Sequence, residues 1–192
     1  MVLASGNAGK LRELGKVLSP LNMTLKPQAH FNVPDADETG FSFVENAIIK
    51  ARAAAQHTGL PSIADDSGIE VDHLNGAPGI YSARYSGAGD EANNARLLKE
   101  LGETPEGQRG ARFQCVLVYM RHALDPTPVI CQASWEGFIL FEPRGDNGFG
   151  YDPLFYLPEH QCTSAQLPPA IKNRISHRSK ASNLLFDALR KR

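Results

Sequence analysis

The sequence predicts an α/β fold, a mixed twisted β-sheet with flanking helices. Three observations point there. Short apolar runs of strand length alternate with segments whose apolar residues recur at helical spacing. Residues 111–141 then carry three strand-like runs with no helix between them, a β-meander foreign to a purely parallel sheet. No internal repeat or low-complexity linker divides the 192 residues, so a single domain, 1–192, with a substantial core is expected.

The elements follow in order. Val2-Leu3-Ala4 reads as a strand that runs into Ser5-Gly6-Asn7-Ala8-Gly9-Lys10. Leu11, Leu14, Leu18 and Leu21 then mark a helix, with Pro20 as its breaker. Residues 22–40 are polar and aperiodic, apart from a short strand at 24–26, and end in the acidic run Asp35-Ala36-Asp37-Glu38-Thr39-Gly40. Ser42 and Glu45 have capping-box spacing and open a second helix, whose apolar face is Phe43, Ala47, Ala51, Ala54 and Ala55. Gly59 and Pro61 stop it. Leu60-Pro61-Ser62-Ile63 reads as a strand ending in Ala64-Asp65-Asp66-Ser67-Gly68. Asp, Ser and Gly all favour turns, so a tight turn is expected there, with another strand at 69–72 and a turn at Asn75-Gly76. A third helix is expected over 90–101, closed by Gly102. Strands at 111–121, 128–135 and 137–141 form the meander. A glycine-rich loop over 143–152 precedes a short strand at 154–156. The C-terminal segment is helical, with Ile175, Ala181, Leu184, Leu185, Ala188 and Leu189 on its buried side.

Bulk composition is that of a soluble globular protein, 42% hydrophobic and 21% charged. A net charge of -1 and a pI near 6.6 give no general electrostatic reason to bind a nucleic-acid polymer or a membrane. Any polyanion must meet a local basic cluster. Cys115, Cys131 and Cys162 lack metal-site spacing, and the first two sit in apolar strands, which suits a reducing compartment. With no signal-peptide pattern at the start, a cytoplasmic location is expected.

Residues able to carry chemistry are few. The loop over 5–10 joins a strand to a helix N-terminus, where backbone N–H groups and a partial positive charge suit phosphate. Gly6 and Gly9 permit close approach, Ser5 and Asn7 offer hydrogen bonds, and Lys10 adds charge; equally, Asn7 could simply cap the helix. Asp65, Asp66 and Glu38 supply hard oxygen donors of the kind magnesium takes alongside substrate phosphates. Adjacent strand side chains face opposite ways, so only one of the two aspartates points easily into a given site. Lys50, on the second helix, could neutralise phosphate. Phe149-Gly150-Tyr151-Asp152-Pro153 offers a ring to stack on a base and a carboxylate to accept from its edge, or else an aromatic turn packed on the core. Ser176-His177-Arg178 sits at a helix start, with Lys172 one turn earlier, and could meet purine carbonyl oxygens. No Ser/His/Asp triad or zinc spacing is present in the pattern.

Seven motifs in order resemble the inosine triphosphate pyrophosphatase family, whose bacterial members are dITP/XTP pyrophosphatases. They are Ser5-Gly6-Asn7-x-x-Lys10, Glu38-Thr39-Gly40, Phe43-x-Glu45-Asn46-Ala47-x-x-Lys50-Ala51, and Ala64-Asp65-Asp66-Ser67-Gly68. Gly76-Ala77-Pro78-Gly79-Ile80-Tyr81-Ser82-Ala83-Arg84, Phe149-Gly150-Tyr151-Asp152-Pro153 and Ser176-His177-Arg178 complete the set, which covers nearly the whole chain. The resemblance implies an elongated, two-lobed α/β domain, a homodimer, and hydrolysis of ITP, dITP, XTP and dXTP to the monophosphate and pyrophosphate. It implies magnesium, or another divalent ion such as manganese, held by Glu38 and Asp66, with Asp66 also the general base and Ser67 near the substrate. Ser5, Gly6, Asn7, Ala8, Gly9, Lys10 and Lys50 would hold the triphosphate. Phe149, Gly150, Tyr151, Asp152, Lys172, His177 and Arg178 would read the base. One departure is visible: the position before Lys172, often acidic in the family, is Ile171. Two other readings stay open at this point, a pyrophosphatase for other nucleotides such as dTTP and a nucleotide sensor without turnover.

Overall fold

Seven strands make up one sheet: β1 (Val2–Leu3), β2 (Lys26–Pro27), β3 (Ser62–Val71), β4 (Gly110–Met120), β5 (Val129–Ile139), β6 (Phe155–Leu157) and β7 (Cys162–Thr163). Their order is β2-β1-β3-β4-β5-β6-β7. Among the described residues five α-helices accompany them: α1 (Ala8–Leu18), α2 (Phe43–Thr58), α3 (Asp90–Leu101), α4 (Pro169–Ile175) and α5 (His177–Arg190). This is a computed structural model, and it describes residues 1–191. The sheet is mixed, as the meander predicts. β1 runs parallel to both β2 and β3, with Val2 opposite Lys26 and Ser62, whereas β6 is antiparallel to β5 and β7. Parallel neighbours need crossover connections, and α1 and α2 supply them.

The chain divides into two compact units. One comprises residues 1–66, 115–133 and the chain from Lys180 onward; the other comprises 67–114 and 134–179. The first unit has its own core, in which Leu3 and Ile63 of the strands meet Leu14 and Leu18 of α1 and Ala181, Leu185 and Leu189 of α5. On α2 the expected face is buried throughout: Phe43, Ala47, Ala51, Ala54 and Ala55. Its small side chains let the helix lie close on β1. The second unit packs Leu97 and Leu101 of α3 with Phe113, Trp135, Tyr151 and Phe155.

Five sequence expectations need correction. Asp65-Asp66-Ser67-Gly68 is not a turn, because β3 runs unbroken from Ser62 to Val71. β1 pairs with β3 only at Ser62 and Ile63, and the strand continues past it as the neighbour of β4, so tertiary context overrides the local turn preference. The second and third runs of the meander are one strand, β5, passing straight through Gly137. A Cβ there would lie 2.5 Å from the Tyr156 carbonyl oxygen, so the glycine marks close approach of β6 and not a break. A helix does start at Ser176-His177 as expected, but Ile175, expected on its buried face, belongs to a separate short helix, because Ser176 is extended and divides α4 from α5. Leu184, expected inside, is 48% exposed. The short strand expected at 24–26 lies at Lys26–Pro27, and Gly79–Arg84 winds into 3₁₀ turns.

Candidate active site

In the first unit the loop after β1 turns into α1 at Asn7. Its side-chain oxygen accepts from the N–H groups of Gly9 (2.8 Å) and Lys10 (3.1 Å), and its own N–H donates to Ser5 Oγ (3.2 Å). The helix is therefore capped from within. Lys10 leaves the first turn of α1 and places Nζ 2.6 Å from Asp65 Oδ1. Lys50, on α2, donates to Glu38 Oε1 at 2.8 Å and to Asp66 Oδ1 at 2.7 Å. The strand geometry explains the division of labour: neighbouring residues of β3 point oppositely, so Asp65 meets one lysine and Asp66 the other.

Three carboxylates against two ammoniums leave this cluster with one formal negative charge. Asp65 and Asp66 are both buried, and Asp66 Oδ2 accepts no hydrogen bond at all. Burial pushes the Asp66 pKa up; Lys50 pulls it down, while Glu38 and Asp65 push the same way as burial, and the balance is upward. For Lys50, burial opposes the charged form, but Asp66 and Glu38 outweigh it and hold the ammonium above its ordinary range. Among the described residues no three His, Cys, Asp or Glu side chains gather into a ready metal cage. Magnesium does not need one, since it takes one or two carboxylates and completes its shell with phosphate oxygens and water. Glu38, Asp66 and the orphaned Oδ2 form such an oxygen set.

Two residues of the third motif have positioning work that sequence reasoning left unassigned. Asn46 is fully buried on α2, and its Oδ1 accepts the Gly40 N–H at 2.9 Å. A Cβ on Gly40 would sit 2.5 Å from Glu45 Cβ and 2.8 Å from Asn46 Oδ1. Glu45 Oε2 accepts from Phe41 N–H (2.9 Å) and Ser42 Oγ (2.7 Å), and Ser42 Oγ accepts from Glu45 N–H (3.3 Å). The expected capping box thus forms with its return bond one residue early. Together these contacts fasten the stretch just after Glu38 onto the start of α2, one turn from Lys50. The available signal was an asparagine inside an alanine-rich apolar face, where a buried amide needs a partner.

In the second unit the glycine-rich loop presents Phe149, which is 59% exposed. Lys172 Nζ lies 5.3 Å and Arg178 Cζ 5.8 Å from its ring centroid, both in cation–π range. The structure brings these three predicted residues together. The other predicted members of the group lie within the unit. Asp152 accepts from Ser164 Oγ (2.7 Å) through Oδ1, and through Oδ2 from the Phe149 N–H (2.8 Å) and Lys172. Its oxygens thus tie the loop, where the sequence suggested contact with a base edge. Tyr151 is buried and donates to the Ser82 carbonyl at 2.8 Å. His177 stacks on Phe113 at 4.9 Å and 12°. Ser67 is half-buried on β3. Gly150, between the exposed ring and the buried tyrosine, is held from α3: its N–H donates to Asp90 Oδ2 (2.7 Å) and its carbonyl accepts from Asn94 Nδ2 (2.8 Å). Neither α3 residue stood out in the sequence.

Comparison with known proteins adds an independent finding. The sequence profile of the Ham1 family matches residues 1–188. A dITP/XTP pyrophosphatase of Thioalkalivibrio sulfidiphilus is 60% identical over 194 aligned positions, covering 100% of this chain and 99% of that protein. One from Vibrio cholerae is 59% identical, covering 98% and 96%. Among solved structures, a HAM1 protein from Coxiella burnetii superposes with a TM-score of 0.96 at 50% identity, covering 100% of this chain and 98% of the other.

Proposed function

The chain belongs to the Ham1 family, and from that premise we propose that it hydrolyses dITP, ITP, XTP and dXTP to the nucleoside monophosphate and pyrophosphate, removing them from the nucleotide pool. The observation that carries this reading is Asp66, a buried carboxylate with one oxygen on Lys50 and the other accepting no hydrogen bond.

Glu38 and Asp66 would hold a magnesium ion, or another divalent ion such as manganese, which when bound offsets charge on the phosphate oxygens. Lys10 and Lys50 each have three donors and can divide them between a carboxylate and the triphosphate. Ser5, Gly6, Asn7, Ala8 and Gly9 give the triphosphate backbone and side-chain polar groups at the start of α1. Asp66 takes a proton from water as the water oxygen bonds to the α-phosphorus. The bond from that phosphorus to the α,β-bridging oxygen breaks, and pyrophosphate leaves with the oxygen and its electron pair. A carboxylate whose pKa is raised is a better base than an ordinary one, and Lys50 favours its ionised form against burial.

Phe149 stacks on the purine, and the donors of Lys172 and Arg178 meet the 6-keto oxygen of hypoxanthine or xanthine. Adenine carries an amine there, so these donors would lose their acceptor, and a buried mismatch of that kind is penalised heavily. His177 and Asp152 hold the recognition group in place. We further propose a homodimer in the cytoplasm. Three free thiols accord with a reducing compartment, and no helix among the described residues is long and apolar enough to cross a membrane.

A nucleotide panel assayed separately for pyrophosphate and orthophosphate tests the reading. With magnesium, dITP should release one pyrophosphate per monophosphate, at least about 100-fold faster than dATP. Orthophosphate as the only phosphate product, or a preference for pyrimidine nucleotides, would overturn it.

A further inference from the structure

Phe149 is exposed on a loop that carries Gly145, Gly148 and Gly150, all at positive φ, so its backbone has little intrinsic preference for one conformation. The base of the loop is fixed, with the Arg144 N–H donating to the Pro153 carbonyl (2.9 Å) and the Asn147 N–H to the Ala165 carbonyl (3.1 Å), while the tip that bears the ring is open behind. An open cavity of about 410 Å³ lies against the loop, lined by Asp90, Asn94, Leu98, Gly148, Phe149 and Leu154 among others. At this tip the loop is held by hydrogen bonding to the peptide groups flanking the ring. Asp152 takes the Phe149 N–H, and α3 takes both polar groups of Gly150.

Asp90 and Asn94 are one turn apart, so their side chains share a face of α3. One supplies an acceptor and the other a donor, and Gly150 requires one of each. The same helix turn is itself fixed. Asn93 donates to the carbonyls of Ser82 and Ala83 and accepts from Ser86, and Tyr151 donates to that same Ser82 carbonyl. The N-terminal turn of α3 is thereby anchored to the residue that follows Gly150 as well as to Gly150 itself.

We propose that Asp90 and Asn94 are positioning residues for base recognition: a two-point clamp that sets the attitude of the Phe149 ring toward the purine. This rests on the stacking role given to Phe149 above. The clamp touches no part of the phosphate chemistry, so its loss should appear in substrate binding and leave turnover alone. Removing the Asp90 acceptor, or replacing the Asn94 donor with an acceptor of equal size, frees the loop to sample other conformations. The fraction of enzyme competent to bind then falls, and the apparent affinity falls with it.

Steady-state kinetics on dITP with magnesium test this in D90A, D90N and N94D, each alone and combined with F149A. D90A and N94D should each raise KM about fivefold, the size of one ordinary hydrogen bond, with kcat within about twofold of wild type. D90N keeps an oxygen acceptor while losing its charge, so its KM should stay near that of the wild type. In the F149A background neither D90A nor N94D should raise KM further, because the ring they position is gone. Thermal melts verify folding, and D90A, at an exposed position, carries the test if N94D is unfolded. An unchanged KM in D90A while F149A raises it, full additivity with F149A, or a D90N as impaired as D90A would overturn the clamp. If F149A itself leaves KM unchanged, the stacking role fails and the clamp falls with it.

Discussion

Asp66 is more costly to ionise than an ordinary aspartate because burial, Glu38 and Asp65 together outweigh the pull of Lys50. The consequence for catalysis has a definite sign. The base form is the carboxylate, so kcat should fall as pH drops through the raised Asp66 pKa, placing the acid limb above the range of an exposed aspartate. Lys50 is the group that lowers that pKa. K50Q should therefore move the acid limb to still higher pH, whatever it costs in rate, and a kcat–pH profile of the two proteins reads the shift. A limb that stays put, or moves to lower pH, would mean that Asp66 is not the titrating base. Stability runs the opposite way to function at this residue. A carboxylate whose folded pKa is raised binds protons more tightly when folded, so its contribution declines as pH rises from the unfolded value of 3.8 through the folded one. At neutral pH the charge is held at the expense of the fold.

At the scale of the element, α2 shows how a helix can place a carboxylate that it does not carry. Asn46 and Lys50 stand one turn apart on it; the first fixes Gly40 and the second receives Glu38. Gly40 has no room for a side chain, so G40A must push the loop off Asn46 and draw Glu38 away from Lys50. The expected result is a rate about 10–100-fold lower, and a higher magnesium concentration for half-maximal pyrophosphate release. A magnesium titration of that release checks it, and an unchanged midpoint would detach Gly40 from the metal-side carboxylate. The sequence made α2 legible because capping spacing, alanine periodicity and a terminal glycine all agree there. It misled over β3, where four turn-favouring residues sit in a buried strand. Local preference is worth little once the stretch is buried inside a sheet, and the neighbouring strand β4 is distant in sequence. The helix start at Ser176-His177-Arg178 was readable, and the structure adds the short helix α4 before it, with Ser176 extended between the two.

On the scale of the molecule, net charge nearly vanishes while chemistry is concentrated locally. One compact unit carries Lys10, Glu38, Lys50, Asp65 and Asp66 over its own core; the other carries Phe149, Lys172 and Arg178 over another. The residue types and their order were readable, because each motif has a chemical reason. Their partners were not: Lys10 meets Asp65 across 55 positions, and Gly150 meets Asp90 across 60. Side-chain duties shifted for the same reason, with Asp152 and Tyr151 spent on holding the loop. The most direct test of the account compares wild type with D66N for magnesium-dependent pyrophosphate release from dITP, with nucleotide binding and melting temperature measured in parallel. The expected results are stoichiometric pyrophosphate from the wild type, a rate at least about 100-fold lower in D66N, retained binding, and a higher melting temperature because the buried charge is gone. Near-normal pyrophosphate release by a folded D66N protein would contradict it.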